Sequence, residues 1–404
     1  MQVELLAPAG NFDKLKTALH FGADAVYVGG KQFSLRTYAD NFTDAELQEA
    51  VEYVHTRGKK IYVTVNIFAR NADFEYLRRY FVFLYSIGVD AVIISDPGVI
   101  ACCKEVAPDL TVHVSTQANL TNAYAVRFWQ TQGAKRAILA RELSLREISE
   151  IHAAVPTMEL ECFIQGAMCI SYSGRCLLSN YLAGRESNRG ACVQACRWQY
   201  EIRKKGASDD EWMPLDEDGR GTYILNSKDL CLIDHLPEMA ESGVCSFKIE
   251  GRMKSEYYLA TVIHAYRQAI DFYKTHGRDE PLPCEYRAEL SDAAHRAYTT
   301  AYALGGNEET VNYTDSQAKG DCDYVANVLG YDGGILTVEM RNRFKSGETL
   351  EVLSPDYPYG TAFTVRDVTD EGDNAVSDAK LVQATYRMPC PFPLRKGDIL
   401  RRRK

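Results

Sequence analysis

The sequence predicts an α/β fold: a (β/α)8 barrel of the TIM type, followed by a small all-β barrel domain. Three observations carry this. Eight short apolar runs, each followed by a stretch of helical periodicity, alternate through about the first 275 residues. The runs are apolar almost throughout rather than at every second position, the pattern of parallel strands buried on both faces. After Gly320 the pattern changes to short alternating runs joined by Gly/Asp turns. A doubly wound open sheet is the alternative arrangement for the first part.

The strands in order are VELLAP from Val3, AVYVGG from Ala25, KIYVTVN from Lys60, AVIISD from Ala91, TVHVSTQ from Thr111, RAILAR from Arg136, MELECFIQ from Met158 and SFKIEG from Ser246. Between them lie amphipathic stretches such as FDKLKTALHFG, DAELQEAVEYVHTRG, FEYLRRYFVFLYSIG, NAYAVRFWQTQG and LREISEIHAAV. Several end in glycine, which closes a helix in the left-handed region. Asp44 and Ser144 stand where a side chain caps a helix start. The connection between the seventh and eighth strands runs to about 80 residues, where two to six are usual. Within it, Lys204 to Gly221 reads as a hairpin or lid. A helix from Lys254 would close the barrel. The expected domains are 1–285 for the barrel with its insertion at 166–244, 286–319 for a helical linker, and 320–404 for the β-barrel domain. In the last, YDGG and DEGD mark turns.

With 404 residues the chain is long enough for a large core, and 46% hydrophobic and 25% charged residues are ordinary for a globular protein. Met1 runs directly into VELLAPAG, so a secretory leader is not expected, and no apolar run approaches a membrane span. A cytoplasmic setting follows. The net charge of −9 argues against broad, non-specific nucleic-acid binding but leaves room for a local basic face. Arg203-Lys204-Lys205 and the tail Arg401-Arg402-Arg403-Lys404 are the local candidates.

The insertion holds the chemistry. Its ECFIQGAMCISYSGRCLLSNYLAGRESNRGACVQACRWQY (Glu161 to Tyr200) contains Cys169, Cys176, Cys192 and Cys196, and Cys231 follows in NSKDLCLIDHL. In a protein that is not secreted, thiols gathered so bind a metal or act in catalysis more often than they form a disulfide frame. Two C-x2-C knuckles are absent, so the spacing is not that of a zinc site, and soft sulfur ligands at irregular spacing suit an iron–sulfur cluster. Cys192 and Cys196, four apart, would share one face of a helix. Cys231 lies in an amphipathic run that is also consistent with packing. Cys102 and Cys103, in VIACCKEVA, read as core.

These motifs also carry a resemblance. Glu161-Cys162-Phe163, Gly166-Ala167-Met168-Cys169 and Tyr172-Ser173-Gly174-Arg175-Cys176-Leu177-Leu178-Ser179 resemble the signature of peptidase family U32, the collagenase-like proteases. So do Asn188-Arg189-Gly190, Cys192-x3-Cys196-Arg197-Trp198, the Phe247 to Lys254 run FKIEGRMK, Leu5-x-Ala7-Pro8-Ala9-Gly10 and Gly22 to Tyr27. The resemblance extends over essentially the whole chain. It implies an oxygen-sensitive iron–sulfur cluster, of the 4Fe-4S kind, with Cys169, Cys176, Cys192 and Cys231 as ligands and Cys196 as the alternative fourth. It further implies a role in RNA hydroxylation. The added β-domain is most similar to the branch that forms 5-hydroxyuridine at the tRNA wobble position with prephenate as hydroxyl donor. tRNA, a small dicarboxylate and a homo- or hetero-oligomer with a family member are the expected partners.

A (β/α)8 barrel places its site at the C-terminal strand ends. Polar residues there are Asn66, His113, Ser115, Gln117, Arg141, Glu142, Gln165, Lys248, Glu250 and Arg252. His113, Ser115 and Gln117 alternate and so face one side, and Lys248 shares a face with Glu250. Both sets also fit a satisfied internal polar layer. A dicarboxylate needs forked cations, and Arg141, Arg175 and Arg252 are the candidates. A peptidase and a non-catalytic scaffold remain alternatives. For the former, neither G-x-S-x-G nor H-E-x-x-H occurs, and Ser173, or a cysteine paired with His113 or His152, is the available nucleophile.

Overall fold

A parallel strand buried on both faces must find a hydrogen-bonded neighbour on each edge, and here the row of strands supplies this by closing on itself. The computed structural model describes residues 2–31, 40–169, 171, 175–176, 178–185, 192–197, 217–218, 221–222, 227–305 and 318–404. Contacts divide the chain into two units. The first comprises Met1–Leu15, Asp24–Met253 and Arg296–Gln317; the second comprises Lys16–Ala23, Lys254–His295 and Ala318–Lys404.

In the first unit, β1 (Glu4–Pro8), β2 (Ala25–Gly29), β3 (Lys60–Val65), β4 (Ala91–Ile94), β5 (Val112–Val114), β6 (Arg136–Ile138) and β7 (Glu159–Ala167) lie side by side in chain order, all parallel. The connection after β7 holds a short hairpin of β8 (Glu217–Asp218) and β9 (Gly221–Thr222), then β10 (Asp229–Cys231). β11 (Val244–Ile249) pairs in parallel with both β7 and β1. The barrel is therefore closed, and the open-sheet alternative is excluded. All eight apolar runs became strands. β2 and β4 are buried at every residue, which is why their sequences do not alternate.

The helices between them are α1 (Phe12–His20), α2 (Asp44–His55), α3 (Phe74–Ser86), α4 (Pro97–Val106), α5 (Ala123–Thr131) and α6 (Leu145–Ala154). Ser144 caps α6 as expected, accepting from the Glu147 amide while the Glu147 carboxylate accepts from the Ser144 amide at 2.8 Å. The start of α2 differs from the expectation. Its cap is Thr43, and Asp44 is the first helical residue. Thr43 stands three before Glu46 and forms the reciprocal box that Asp44 has no partner for. Gly22, Gly58, Gly88 and Gly133 follow helix ends with positive φ. The insertion adds α7 (Leu178–Ala183) and α8 (Leu236–Glu241). No helix of the described residues is long and apolar enough to cross a membrane.

The second unit holds α9 (Glu256–His276) and α10 (Cys284–Glu289). The segment 286–319, expected as a helical linker, contributes only the end of α10 as helix among the described residues. It also forms a two-residue strand, β12 (Tyr298–Thr299), which belongs to the first unit and pairs with β10. From Cys322 the chain is all β: β13 (Cys322–Asp332), β14 (Ile335–Met340), β15 (Phe344–Lys345), β16 (Thr349–Leu353), β17 (Ala362–Thr364), β18 (Asp378–Ala379), β19 (Thr385–Pro389) and β20 (Ile399–Arg403). Six of them form an antiparallel sheet in the order β17-β16-β20-β13-β14-β19, and β15 pairs with β18. No ladder joins β17 to β19, so the sheet is not closed by hydrogen bonds. YDGG is the β13–β14 turn, with Gly333 and Gly334 both at positive φ. Leu336, Val338, Phe344, Val352 and Leu400 are among its core.

The basic tail is not a free cationic face. Arg401 is 0% exposed on β20. It bonds both oxygens of Glu289 and lies 3.1 Å from Asp292 and 3.1 Å from Glu351. Arg402 pairs with Asp323 and Glu348, Arg403 with Asp292 and Glu351, and Lys404 with Asp323. The sequence shows four cations in a row; the fold surrounds them with acids from distant segments. Arg203-Lys204-Lys205 lies outside the described residues. Arg401→Met leaves Glu289 and Asp292 buried without their principal counter-ion and is expected to cost about 3–5 kcal/mol. Arg402→Ala, at a half-exposed pair, is expected to cost under about 1 kcal/mol. Urea unfolding of the two variants checks the difference.

Candidate functional site

Because the eight strands run the same way, residues at their C-terminal ends meet at one mouth. There they line a cavity whose wall is largely polar, with Thr64, Asn66, Gln117, Arg141, Lys248 and Arg252 among its residues. One layer of polar side chains lines this mouth, and a second lies deeper in the barrel, toward the N-terminal strand ends, where Glu4, Arg136 and Glu159 each begin a strand.

The lower layer is a buried ion network. Glu161 of β7 is 0% exposed and accepts from Lys248 Nζ at 2.7 Å and from Arg136 Nη1 at 3.1 Å. Arg136 also bonds Glu4 at 2.6 Å and Glu159 at 3.0 Å. Glu4 accepts from the Tyr62 hydroxyl at 2.6 Å and the Ser246 hydroxyl at 2.8 Å. Burial pushes the Glu4 carboxyl up, but Arg136 and these hydrogen bonds outweigh it and hold the group below the ordinary range. His113 belongs to this layer rather than to the cavity wall, its ring edge-on to Tyr62 with centroids 4.8 Å apart. Burial, with Arg136 and Lys248 nearby, drives its pKa well below the usual value, so the imidazole is neutral. His113 was expected beside Ser115 and Gln117. It does face inward, but it stands two residues deeper on its strand, and Ser115 and Gln117 line the cavity without it.

The upper layer is the cavity wall. Lys248 stands at its floor, with Nζ 4.3 Å from the Tyr27 ring centroid. Glu250 lines the same wall, 3.4 Å from the Tyr27 hydroxyl, which donates to the Ile249 carbonyl at 2.9 Å. Arg252 is buried; its guanidinium donates to Thr64 Oγ1 at 3.0 Å and to Asn41 Oδ1 at 2.6 Å. Arg141 lies over the Phe163 ring at 4.3 Å and donates to the Ala167 carbonyl at the end of β7. Asn66 lines the cavity too. Gln165 is buried on β7 at the register position of Cys231, but neither it nor Glu142 is a lining residue. Arg175 is exposed and not part of the wall, so two of the three expected forks converge on the cavity.

Cys169 follows two residues after β7. Its side chain is exposed, yet the protein atoms packed around it partly desolvate the thiol and raise its pKa; the Cys176 and Cys192 sulfurs add to this, while the Ser171 amide and Arg141 oppose it. Cys192 Sγ accepts from Gln194 N at 3.4 Å and from Ser179 Oγ at 3.6 Å, which ties its segment to α7. Cys192 and Cys196 do not share a helix as expected. Gln194 has φ +57, and only Ala195–Arg197 forms a single 3-10 turn. Cys231 is half-buried on β10, antiparallel to β7. Cys103 is buried in α4 with its thiol pushed up to about 12 by burial, as a core residue should be. Among the described residues, the one group of three metal-type donors within 4.8 Å is Asp292, Cys322 and Glu351. There Arg401 and Arg403 already supply the positive charge.

Sequence reasoning missed Glu161 and Arg136 as the centre of the lower layer, and Asn41 and Thr64 as the holders of Arg252. The signal for the first pair was visible: a charged residue inside an apolar barrel strand needs a buried partner.

The sequence pattern of peptidase family U32 matches residues 10–313, and that of the peptidase family U32 C-terminal domain matches residues 320–401. The chain is similar to tRNA hydroxylation protein P1 of Bacillus subtilis, with 43% identity over 381 residues, 93% of this chain and 89% of that protein. It is 38% identical to tRNA hydroxylation protein P of Escherichia coli over 394 residues, 87% of this chain and 86% of that protein. It is also 33% identical to a collagenase of Porphyromonas gingivalis over 313 residues, 75% of this chain and 73% of that protein.

Proposed function

The chain belongs to peptidase family U32, and from that premise we propose that it works in tRNA hydroxylation, forming 5-hydroxyuridine at the wobble position. In this reading an iron–sulfur cluster is held by Cys169, Cys176, Cys192 and Cys231, with Cys196 as the alternative fourth ligand, and a dicarboxylate such as prephenate occupies the barrel cavity as hydroxyl donor. tRNA is the macromolecular partner, and the setting is cytoplasmic.

One observation carries the reading. Arg141 lies on the cavity wall and also within electrostatic reach of Cys169, two residues beyond the carbonyl to which Arg141 donates. The cysteine loop and the small-molecule cavity are thus neighbours at one mouth. The donor set suits the cluster in kind: thiols from one loop influence each other, and a further thiol stands on the strand paired to β7. When bound, such a cluster supplies one-electron redox chemistry. The chain's own residues do the rest. Arg252, fixed by Thr64 and Asn41, presents a fork to a carboxylate. Arg141 presents the second cation, and the nucleotide approaches from the mouth.

The peptidase reading has the collagenase relative in its favour. Among the described residues neither candidate base is seen paired with a nucleophile: the Nδ1 atoms of His113 and His152 are buried without a hydrogen-bond partner. Ser173 lies outside the described residues. The test is deletion of the gene followed by nucleoside analysis of total tRNA, with purified protein assayed on gelatin and casein in parallel. Loss of the 5-hydroxyuridine-derived wobble nucleosides, with no proteolysis above a mock preparation, is expected. Unaltered tRNA with proteolysis abolished by one Cys, Ser or His replacement would reverse the assignment.

A further inference from the structure

We infer that Lys248 binds a 2-oxo acid covalently in the barrel cavity, as an iminium on its Nζ. The inference rests on the reading of the cavity as a small-carboxylate site and goes beyond it; it does not depend on what RNA, if any, the protein modifies.

The placement is that of an amine at the floor of a cavity. Lys248 is on β11, in register with Phe163 of β7, and lines the cavity while being 3% exposed. Its Nζ is 4.3 Å from the Tyr27 ring centroid and 5.5 Å from that of Phe163. Arg141 and Arg252 line the same space. A carboxylate engaged by one of these guanidiniums leaves the adjoining oxo carbon as the electrophile next to an amine. Glu161 Oε1, 2.7 Å from Nζ, is positioned to take the proton that the amine must lose. Glu250 lines the wall and can relay that proton to the departing oxygen.

The step balances without oxidant or reductant. The Lys248 ammonium gives one proton to Glu161. The neutral amine then adds to the oxo carbon, forming the N–C bond as the carbonyl π pair moves to oxygen. That oxygen gains one proton from the amine nitrogen and, relayed through Glu250, the proton that Glu161 took, and leaves as water. Both carboxylates end as they began. The sum is ammonium plus oxo acid giving iminium plus water.

The surroundings favour this sum. Glu161 stands between Arg136 and Lys248, and Arg136 is paired in addition with Glu4 and Glu159. An iminium keeps the single positive charge of the ammonium, so Glu161 retains its counter-ion through the reaction. Burial, aided by Arg136 and opposed by Glu161 and Glu250, also pushes the Lys248 ammonium below the ordinary lysine range. That raises the fraction of neutral amine available for addition.

Borohydride trapping tests it. The full-length protein, prepared without oxygen, is incubated with pyruvate or with prephenate and sodium cyanoborohydride, then analysed by intact mass and peptide mapping. Prephenate binding is measured separately by calorimetry. One reduced adduct per chain, mapped to the peptide bearing Lys248, is expected. It should fall to background in Lys248→Met and in Lys248→Arg, the second of which keeps a cation beside Glu161 and so keeps the fold. Adduct spread over other lysines, or persisting in Lys248→Arg, overturns the inference. Calorimetric binding without any adduct overturns it too, while leaving the carboxylate cavity standing. Neither binding nor adduct overturns both.

Discussion

Purified without oxygen, the Cys169→Ala and Cys176→Ala variants are expected to carry background iron, whereas Cys103→Ala keeps the iron content of the parent. A cluster held by four thiolates loses a bond of its inner coordination with each replacement, and no carboxylate or histidine is among the residues proposed to hold it. Cys169 is placed where its charge interacts with Cys176 and with Arg141. Cys103 is the matched control. It is 0% exposed in α4, and burial pushes its thiol up to about 12, so it has no thiolate to offer near neutral pH. Its removal costs a small core contact, on the order of 1 kcal/mol. Comparing Cys231→Ala with Cys196→Ala identifies the fourth ligand, since only one of them should match the loss in Cys169→Ala. Full iron in both the Cys169 and Cys176 variants would remove the ligand assignment.

How far the sequence disclosed the molecule depended on whether the determining contact was local. The barrel was legible because burial on both faces and helical periodicity are written into each segment, and the helix-ending glycines into single positions. Ser144 was legible as a cap for the same reason. Thr43 was not, because a reciprocal box needs both the cap and its third residue onward to be read together. The basic tail was misread because its meaning lies in Glu289, Asp292, Asp323 and Glu351, which are distant in sequence. His113 illustrates a finer limit. Alternation fixed its face, but its depth in the barrel depends on how β5 is staggered against β4 and β6. Arg175 shows the same limit from outside: a fork is recognisable as a residue type, and its direction is not.

Arg252→Ala is expected to fold and to retain its iron, yet fail to restore wobble hydroxylation in the deletion strain. The contrast with Arg401 explains why. Removing Arg401 strands buried carboxylates, whereas the acceptors that hold Arg252, Thr64 Oγ1 and Asn41 Oδ1, are neutral. Their loss of a donor costs about 1–3 kcal/mol rather than the larger penalty of an unpaired buried charge. Function is affected more severely. A hydrogen bond to a charged group contributes about 1.5–3 kcal/mol, so a fork making two of them to one carboxylate controls affinity by roughly a hundredfold or more. Arg252→Lys sharpens the test. Lysine keeps the charge but has one nitrogen where the site uses two, Nη1 donating to Thr64 and Nη2 to Asn41. It should restore modification only poorly, with prephenate affinity lowered on the order of tenfold to a hundredfold by calorimetry. Full restoration by Arg252→Ala would show that the carboxylate is held elsewhere, and unchanged affinity in Arg252→Lys would show that charge alone, without the fork, is what the cavity uses.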